Sequence, residues 1–254
     1  MKIIPLSEGA YTIDKTKVFV PFNETTHQLR DRPVGSLLVE VQPFLVITDH
    51  DVLLLDTGLG FTTPRGEMQL RQLIMDAGVN PSEVTKVLMS HLHKDHAGGI
   101  CVKEGAATGM EKSSGLTFPD AKYYVQKQEF ELALSQTSPS YIKEDIACLE
   151  GSEQLVLIEG NGMIDEYIAY EMTAAHSQFH QVFWIDDGHE KIFFGGDDAP
   201  QLSQMKKKYI AKYDYDGKKC MELRQQWWAK GQEENWTFLF YHDIKTPMYK
   251  AKVA

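Results

Sequence analysis

A short apolar strand that leads straight into a cluster of histidines constrains this chain more than any other feature. Residues 84–89 are apolar and favour β-structure, and the sequence HLHKDH follows at residues 91–96. Upstream, residues 66–77 carry apolar side chains at helical spacing, and residues 37–48 and 52–55 form a predicted hairpin around a polar turn. This alternation of strands and helices predicts an α/β fold in which helices cover the sheets.

Further elements are predicted on both sides of the cluster. A strand is expected within residues 11–20, and residues 106–120 are small and polar, which predicts a loop. The other predicted strands are residues 121–125, 155–158, 167–173, 181–185, 191–194 and 236–241, and the other predicted helices are residues 126–134, 201–213 and 218–230. Residues 103–119 either cover the substrate or form a plain surface loop. No flexible linker interrupts the 254 residues, so we expect one domain spanning residues 1–254.

The net charge, the apolar runs and the cysteines of the chain limit which partners and which location are expected. The formal net charge is −10 at pH 7, which disfavours nucleic acid, and no apolar run approaches the ~20 residues of a membrane span. Cys101, Cys148 and Cys220 are far apart and odd in number, so we expect neither a cysteine metal site nor a disulfide framework. Residues 1–10 lack the apolar run of a signal peptide. These features predict a cytoplasmic protein that acts on a small molecule.

The histidine cluster is best explained as a metal site. Imidazole and carboxylate are the side chains that bind zinc and similar divalent ions. The alternative is a polar surface loop, which is less favoured because the cluster directly follows a strand, where functional loops usually lie. By spacing, His91 and His93 can converge on one ion, and Asp95 and His96 on a second.

Neither pair completes a coordination shell, so further ligands must come from elsewhere in the chain. Three candidates each follow a predicted strand, namely His176, Asp197 and His242. Taken singly, each would be a weak candidate, because a lone histidine is more often structural. Three such placements in one chain favour a shared site.

The motifs, taken in order along the chain, resemble those of the metallo-β-lactamase superfamily. Residues 91–99, HLHKDHAGG, match its HxHxDH signature, and Asp56-Thr57-Gly58 resembles its earlier strand-end motif. The later motifs are matched by residues 173–181, by Gly196-Asp197 and by Tyr241-His242-Asp243. The resemblance extends over residues 34–243, which is most of the chain.

The resemblance implies a four-layer αβ/βα sandwich, in which two mixed β-sheets pack together with helices outside. It implies two divalent metal ions, zinc first, although the ligand set also suits iron and manganese. The implied ligands of the first ion are His91, His93 and His176, and those of the second are Asp95, His96 and His242. The resemblance also implies that Asp197 bridges both ions, that Asp56 orients a ligand histidine, and that His180 lies beside the site.

Within the superfamily, the segment from the cluster to residue 244 most resembles the N-acyl homoserine lactone lactonases. True β-lactamases usually place a cysteine in the second site, and none of the three cysteines here falls at a motif. The chain departs from the lactonase pattern at Ala174-Ala175 and Gln178-Phe179, where Pro-Gly pairs are usual, and in having no tyrosine soon after Asp197. The candidates to replace that tyrosine in space are Tyr123, Tyr124 and Tyr213.

The expected activity is metal-dependent hydrolysis of a small ester-like substrate, with a lactone such as an N-acyl homoserine lactone as the leading candidate. Two ions about 3.5–4 Å apart can share a water and lower its pKa toward about 7, and the resulting hydroxide attacks a carbonyl or phosphoryl centre. Asp95 and Asp197 are the candidate catalytic residues. A thioester or a small phosphodiester is the alternative substrate. An iron-dependent oxidoreductase is a further alternative, disfavoured because His96 and His242 complete the second site.

Overall fold

The computed structural model describes residues 1–103 and 115–251. Numbered in chain order, its strands are β1 (Lys2–Pro5), β2 (Gly9–Ile13), β3 (Val20–Pro21), β4 (Leu37–Val41), β5 (Phe44–Ile47), β6 (Val52–Leu55), β7 (Lys86–Leu88), β8 (Lys122–Gln126), β9 (Leu155–Ile158), β10 (Gly162–Ile164), β11 (Ile168–Met172), β12 (Gln181–Asp186), β13 (Lys191–Phe194), β14 (Thr237–Leu239) and β15 (Met248–Lys250). Its α-helices are α1 (Gln69–Asp76), α2 (Lys94–Ala97), α3 (Lys127–Leu134), α4 (Leu202–Lys206) and α5 (Gly217–Glu233). No helix among the described residues has the length and hydropathy needed to cross a bilayer.

Two six-stranded sheets form the centre of the fold. The first has the strand order β1-β5-β6-β7-β8-β9, and the second has the order β10-β11-β12-β13-β14-β15. Both sheets are mixed. Strands β6 to β9 run parallel to one another, as do β13 and β14, whereas the other neighbours are antiparallel.

The apolar runs along the central strands are buried because both faces of each sheet are covered. In β5, Phe44 and Val46 pack between the two sheets, whereas Leu45, pointing the other way, packs with Leu70 of α1. The second sheet repeats the pattern, and its outer face packs on Trp227 of α5. Helix, sheet, sheet and helix therefore form four layers, which confirms the predicted αβ/βα sandwich.

A small third sheet, with the strand order β3-β2-β4, lies at the N-terminal side. The predicted continuous run of residues 37–48 is in fact two strands, and they belong to different sheets. Proline at position 43 has no N–H to donate to a ladder, which favours the break. The preceding Gln42 is buried and donates to the carbonyls of Phe240 at 2.9 Å and Asp243 at 3.0 Å, so the break is anchored beside the turn that carries His242.

Two other predicted bounds were wrong. The helix expected over residues 201–213 ends at Lys206, and the chain beyond it leads to the turn around His176 instead. There the amides of Tyr215 and Asp216 donate to the carbonyls of His176 and Ala175 at 3.0 and 2.7 Å. The strand expected over residues 236–241 is β14, which covers only Thr237–Leu239, and the unpredicted strand β15 follows it and pairs with it.

The expectation that the cysteines form no disulfide was wrong as well. Cys101 and Cys148 are bonded to each other across 47 positions, and Cys220 is free and buried. Spacing along the chain did not indicate this pair, because the fold brings the two segments together. Most of the predicted loop at residues 103–119 lies outside the described residues. Whether this loop covers the substrate is therefore not tested by the structure.

Candidate metal centre

The predicted ligand residues follow strands whose ends meet at one edge of the sandwich. In the first sheet, the parallel strands β6 and β7 are followed by Asp56 and by the HLHKDH segment. In the second sheet, the parallel strands β13 and β14 are followed by Asp197 and His242. Because parallel neighbours end at the same edge, each sheet delivers polar side chains to one place.

Three histidines form the first group of candidate ligands. Nε2 of His91 lies 2.9 Å from Nδ1 of His93, and Nε2 of His176 lies 3.3 Å from the same Nδ1. All three ring nitrogens lie within 4.8 Å of one another. Two nitrogens at 2.9 Å would have to share one proton, whereas a cation between the three would accept a lone pair from each.

The second group consists of Asp95, His96 and His242. Oδ2 of Asp95 lies 3.7 Å from Nε2 of His96 and 3.5 Å from Nε2 of His242. These three ligand atoms also lie within 4.8 Å of one another. The structure thus gathers the predicted ligands into two neighbouring groups.

Asp197 lies between the groups, and each of its carboxylate oxygens faces a different one. Oδ1 lies 3.2 Å from Nε2 of His96 and 3.0 Å from Nε2 of His242, and Oδ2 lies 3.2 Å from Nε2 of His176. Nε2 of His96 and Oδ1 of Asp197 are both buried, and within residues 1–103 and 115–251 neither has a hydrogen-bond partner with good geometry. Buried donor atoms that face a common point in this way suit divalent cations.

Protonation within the centre differs between the groups. Burial, reinforced by neighbouring imidazoles, holds the pKa of His91 and of His93 well below the usual value, so both rings are neutral. Burial also opposes charge on His96, but the carboxylates of Asp197, Asp95 and Asp56 outweigh it and raise the pKa of His96. Burial would raise the pKa of Asp197, yet the surrounding histidines hold it well below its usual range.

Asp56 supports the ligand residues from behind. Its carboxylate accepts hydrogen bonds from the amide and hydroxyl of Ser90 at 2.7 Å each, and Oδ2 lies 2.7 Å from Nδ1 of His96. Asp56 is completely buried and adopts a left-handed φ of 57°, a conformation that aspartate tolerates better than most residues. It therefore fixes the ring of His96 so that Nε2 faces the cluster.

His180 and Gly196 explain how Asp197 is placed. Nε2 of His180 accepts a hydrogen bond from the amide of Asp197 at 3.2 Å, and Nδ1 lies 3.1 Å from a carboxylate oxygen of Asp198. A side chain at Gly196 would come within 2.7 Å of Cβ of Ser90 and 2.8 Å of Nε2 of His180. Only glycine therefore fits immediately before Asp197.

The two groups open into a cavity of about 790 Å³. Side chains from both ligand groups line it, together with Asp197. An apolar wall comes from the N-terminal sheet and the loop after β2, including Ile13, Phe19 and Leu37. Three tyrosines from the loop between α4 and α5 also line it, namely Tyr209, Tyr213 and Tyr215.

One known protein family matches most of this chain. The family model described as the metallo-β-lactamase superfamily matches residues 38–209. The chain belongs to the metallo-β-lactamase superfamily. The matched region contains most of the candidate ligand residues, and His242 lies beyond it.

Relatives within the superfamily include lactonases. The chain is 26% identical to an N-acyl homoserine lactonase from Bacillus sp over 181 residues. This alignment covers 64% of this chain and 62% of that protein. It is also 27% identical to an N-acyl homoserine lactonase from Bacillus thuringiensis over 172 residues. This alignment covers 60% of this chain and 61% of that protein. The alignments thus span less than two thirds of the length of these relatives.

Two solved structures share the fold of this chain. A probable metal-dependent hydrolase from Staphylococcus aureus superposes with a TM-score of 0.77 at 19% identity, covering 98% of this chain and 91% of that one. The dizinc quorum-quenching lactonase AidC, in complex with a product, superposes with a TM-score of 0.71 at 19% identity, covering 99% and 90%.

Of the three tyrosines considered as replacements for the one missing after Asp197, Tyr213 lies at the cavity. Its ring is edge-on to His176, with centroids 6.1 Å apart. Tyr123 is fully buried in the core, where its hydroxyl oxygen accepts the amide of Phe118 at 3.1 Å. Tyr124 is not among the residues that line the cavity.

Sequence reasoning missed the buried residues that hold the His176 turn in this superfamily member. Asp198 accepts the amide of His176 at 2.7 Å, and Nδ1 of His176 lies 2.9 Å from Oδ1 of Asp214. Arg224, also buried, donates to the carbonyls of Asp198 at 3.0 Å and Tyr209 at 2.6 Å. The one signal in the sequence was the second carboxylate directly after Asp197.

Proposed function

We propose that this chain is a dinuclear metal-dependent hydrolase that cleaves a small ester-like substrate, with a lactone as the leading candidate. The observation that carries the proposal is the placement of Asp197, whose two carboxylate oxygens face two different groups of candidate ligands. A carboxylate so placed can bind two ions at once. The proposed ions are divalent, zinc first, because the nitrogen and oxygen donors suit zinc and also iron or manganese.

The proposed ligands of the first ion are His91, His93 and His176, and those of the second are Asp95, His96 and His242. Bound there, two divalent ions would supply an activated water and would polarise the substrate oxygen. The chain contributes position and proton handling. Asp197 and Asp95 present carboxylate oxygens at the cavity, where they can accept a proton from the attacking water and pass it toward the leaving oxygen.

The surrounding side chains would keep this arrangement rigid. Asp56 and Asp214 hold the far nitrogens of His96 and His176, and His180 holds the amide of Asp197. The buried hydroxyl of Tyr241 donates to the carbonyl of Asp95 at 2.6 Å, and its ring stacks on that of His96 at 4.1 Å. Outer contacts of this kind set the orientation of ligands and the affinity for metal.

The lactone is favoured because the curated relatives are N-acyl homoserine lactonases and because the cavity has an apolar wall suited to an acyl chain. Tyr213 is the residue proposed to take the place of the lactonase tyrosine. A thioester or a small phosphodiester remains the second candidate. An iron oxidoreductase is less favoured, because a one-iron site would not need His96 and His242.

We propose a small molecule as the partner, with neither nucleic acid nor membrane, and the net charge of −10 supports this for nucleic acid. A cytoplasmic location stays a prediction. The cysteine spacing no longer supports a cytoplasmic location, because Cys101 and Cys148 are bonded and structural disulfides are rare in reducing compartments.

The test measures the ring opening of a panel of N-acyl homoserine lactones. A pH indicator monitors the acid that is released, and the metal content of the protein is measured beforehand. A turnover above about 1 s⁻¹ lies in the usual enzyme range. It should disappear in His96→Ala and persist in His189→Ala, a control at an exposed hairpin turn.

Two results would contradict the proposal. No turnover at two metals per chain would remove the lactone and direct the search to other esters, thioesters and phosphodiesters. A fully active protein that holds a single metal would contradict the dinuclear mechanism.

A further inference from the structure

The carboxylates that line the cavity are all committed to other groups. Asp95 and Asp197 belong to the candidate ligand set. Asp214, the third, lies 2.9 Å from Nδ1 of His176. None of these acids is therefore available to neutralise a cation elsewhere in the cavity.

Three lysines line the same cavity, namely Lys17, Lys94 and Lys207. Within residues 1–103 and 115–251, none of them forms an ion pair or donates a side-chain hydrogen bond. Other lysines of the chain do find acids. Lys86, for example, pairs with Asp51 and Asp165, and Lys191 pairs with Asp186 and Glu234.

Lys17 is held by a tight turn at the end of β2. Its amide donates to the carbonyl of Asp14 at 3.0 Å, and its φ of 58° lies in the left-handed region, which non-glycine residues seldom adopt. The carboxylate of Asp14 accepts the amide and hydroxyl of Thr16 at 2.8 and 2.6 Å, so it is occupied within the turn. The turn thus brings a half-buried, unpaired ammonium group to the cavity.

Lys94 lies between the ligands His93 and Asp95 in sequence, and its Nζ is 6.0 Å from the centroid of the Phe19 ring. Phe19 belongs to the apolar wall, so positive charge and apolar surface adjoin within the cavity. Lys207, which follows α4, adds a third ammonium group from the loop that carries the tyrosines.

This charge pattern runs against the rest of the protein. The chain carries a net charge of −10, yet the three lysines that line this cavity have no acid partner among the described residues, whereas each of its three aspartates faces a histidine of the candidate metal centre. Unpaired charges of one sign beside an apolar wall favour a ligand of the opposite charge. An uncharged lactone would leave these lysines without a partner.

We propose that the substrate is an ester-like acyl compound whose non-reacting end carries a negative charge, bound by Lys17 and Lys207 with its apolar part along Phe19 and Leu37. This inference rests on the proposed hydrolytic function. The shared chemistry of the charged end is an anionic oxygen group, of which a carboxylate is the simplest form.

The test compares two substrates that differ in one charge, mono-4-nitrophenyl suberate and its methyl ester, using metal-replete protein. We expect kcat/KM for the acid to exceed that for the methyl ester by about tenfold, the size of one charge-assisted hydrogen bond. The ratio should fall toward one in Lys17→Met/Lys207→Met and as ionic strength rises. Lys15→Met/Lys208→Met, which removes two exposed lysines from the same segments, should leave both activities unchanged.

A binding measurement needs no turnover. By calorimetry, the monoamide of suberic acid, which keeps one carboxylate, should bind about tenfold more tightly than the uncharged diamide, and Lys17→Met/Lys207→Met should abolish the difference. If neither aryl ester is hydrolysed but the monoamide binds as expected, the ester hydrolase proposal fails and the anion site stands. If both esters are hydrolysed equally and the double variant changes no ratio, the anion site is overturned while the hydrolase proposal survives.

Discussion

Asp214 and His176 lie 38 positions apart in the chain, yet a carboxylate oxygen of one is 2.9 Å from Nδ1 of the other. Because Nε2 of His176 faces the cluster, Nδ1 carries the proton that Asp214 accepts. The side chain of Asp214 is fully buried, and its second oxygen has no hydrogen-bond partner among the described residues. The loop between α4 and α5 therefore orients a proposed metal ligand as well as lining the cavity.

We expect Asp214→Asn to weaken metal retention by about 10- to 100-fold, the usual cost of losing a carboxylate behind a ligand histidine. The amide can still accept the proton of Nδ1, but it lacks the charge that strengthens this bond. Competition with a chromophoric chelator would measure the effect. Asp49→Asn, at an exposed hairpin turn, removes the same charge and should retain metal normally. Equal retention by both variants would show that Asp214 does not position His176.

Removing the metals should destabilise the protein. Without cations, buried imidazoles and carboxylates at 2.9–3.7 Å must satisfy one another, and two of their atoms have no hydrogen-bond partner in the part of the chain that the structure describes. A ligand present at 1,000 times its Kd stabilises a fold by about 4 kcal/mol. Thermal unfolding of chelated protein should therefore begin at a lower temperature, and adding zinc back should restore the midpoint. Identical midpoints with and without metal would contradict the assignment of the cluster.

Glu8 should make the free energy of unfolding depend on pH. Burial raises the pKa of Glu8 to about 8, against a usual value of 4.5, although its Oε2 accepts the amide of Leu59 at 2.6 Å. The folded state therefore favours the protonated acid. The contribution of Glu8 to stability is full below pH 4.5, decreases by up to about 1.4 kcal/mol per pH unit as pH rises from there, and is lost above pH 8.

Urea denaturation of the metal-loaded protein at pH 6 and pH 8 measures this slope. In Glu8→Gln the side chain cannot ionise, so the variant should gain stability relative to the parent as pH rises. Glu153→Gln, at an exposed position, should follow the parent at both values. If Glu8→Gln also loses stability at the same rate as the parent, Glu8 is already ionised in the folded protein at pH 6.

The bond between Cys101 and Cys148 closes a loop of 47 positions, and the chain-entropy model gives such a loop about 4 kcal/mol of stabilisation. Cys101→Ala/Cys148→Ala should therefore unfold at lower denaturant concentration, and reductant should shift the parent in the same direction. Alkylation of the denatured, unreduced protein should modify Cys220 alone. Modification of three thiols would show that the bond does not form.

The layers of the fold and the set of candidate ligands could be predicted because their signals are local. HLHKDH is a single contiguous segment, and the apolar strands are readable one by one. Asp198, Asp214 and Arg224 could not be found, because each acts through contacts with residues far away in the chain. The over-long helix prediction at residues 201–213 failed for the same reason, since the backbone of Tyr209 and of Tyr215 contacts Arg224 and His176, respectively, which are distant in the chain. A single domain over residues 1–254 stays a prediction.

The two sheets contribute unequal and complementary parts of the centre. His91, His93, Asp95 and His96 come from the half of the chain that forms the first sheet, and His176, Asp197 and His242 come from the half that forms the second. Neither half holds all the proposed ligands of either proposed ion. During refolding, tight metal binding would therefore begin only when the two halves have docked. The rate at which a spectroscopically visible ion such as Co²⁺ becomes bound would measure the rate of that assembly step.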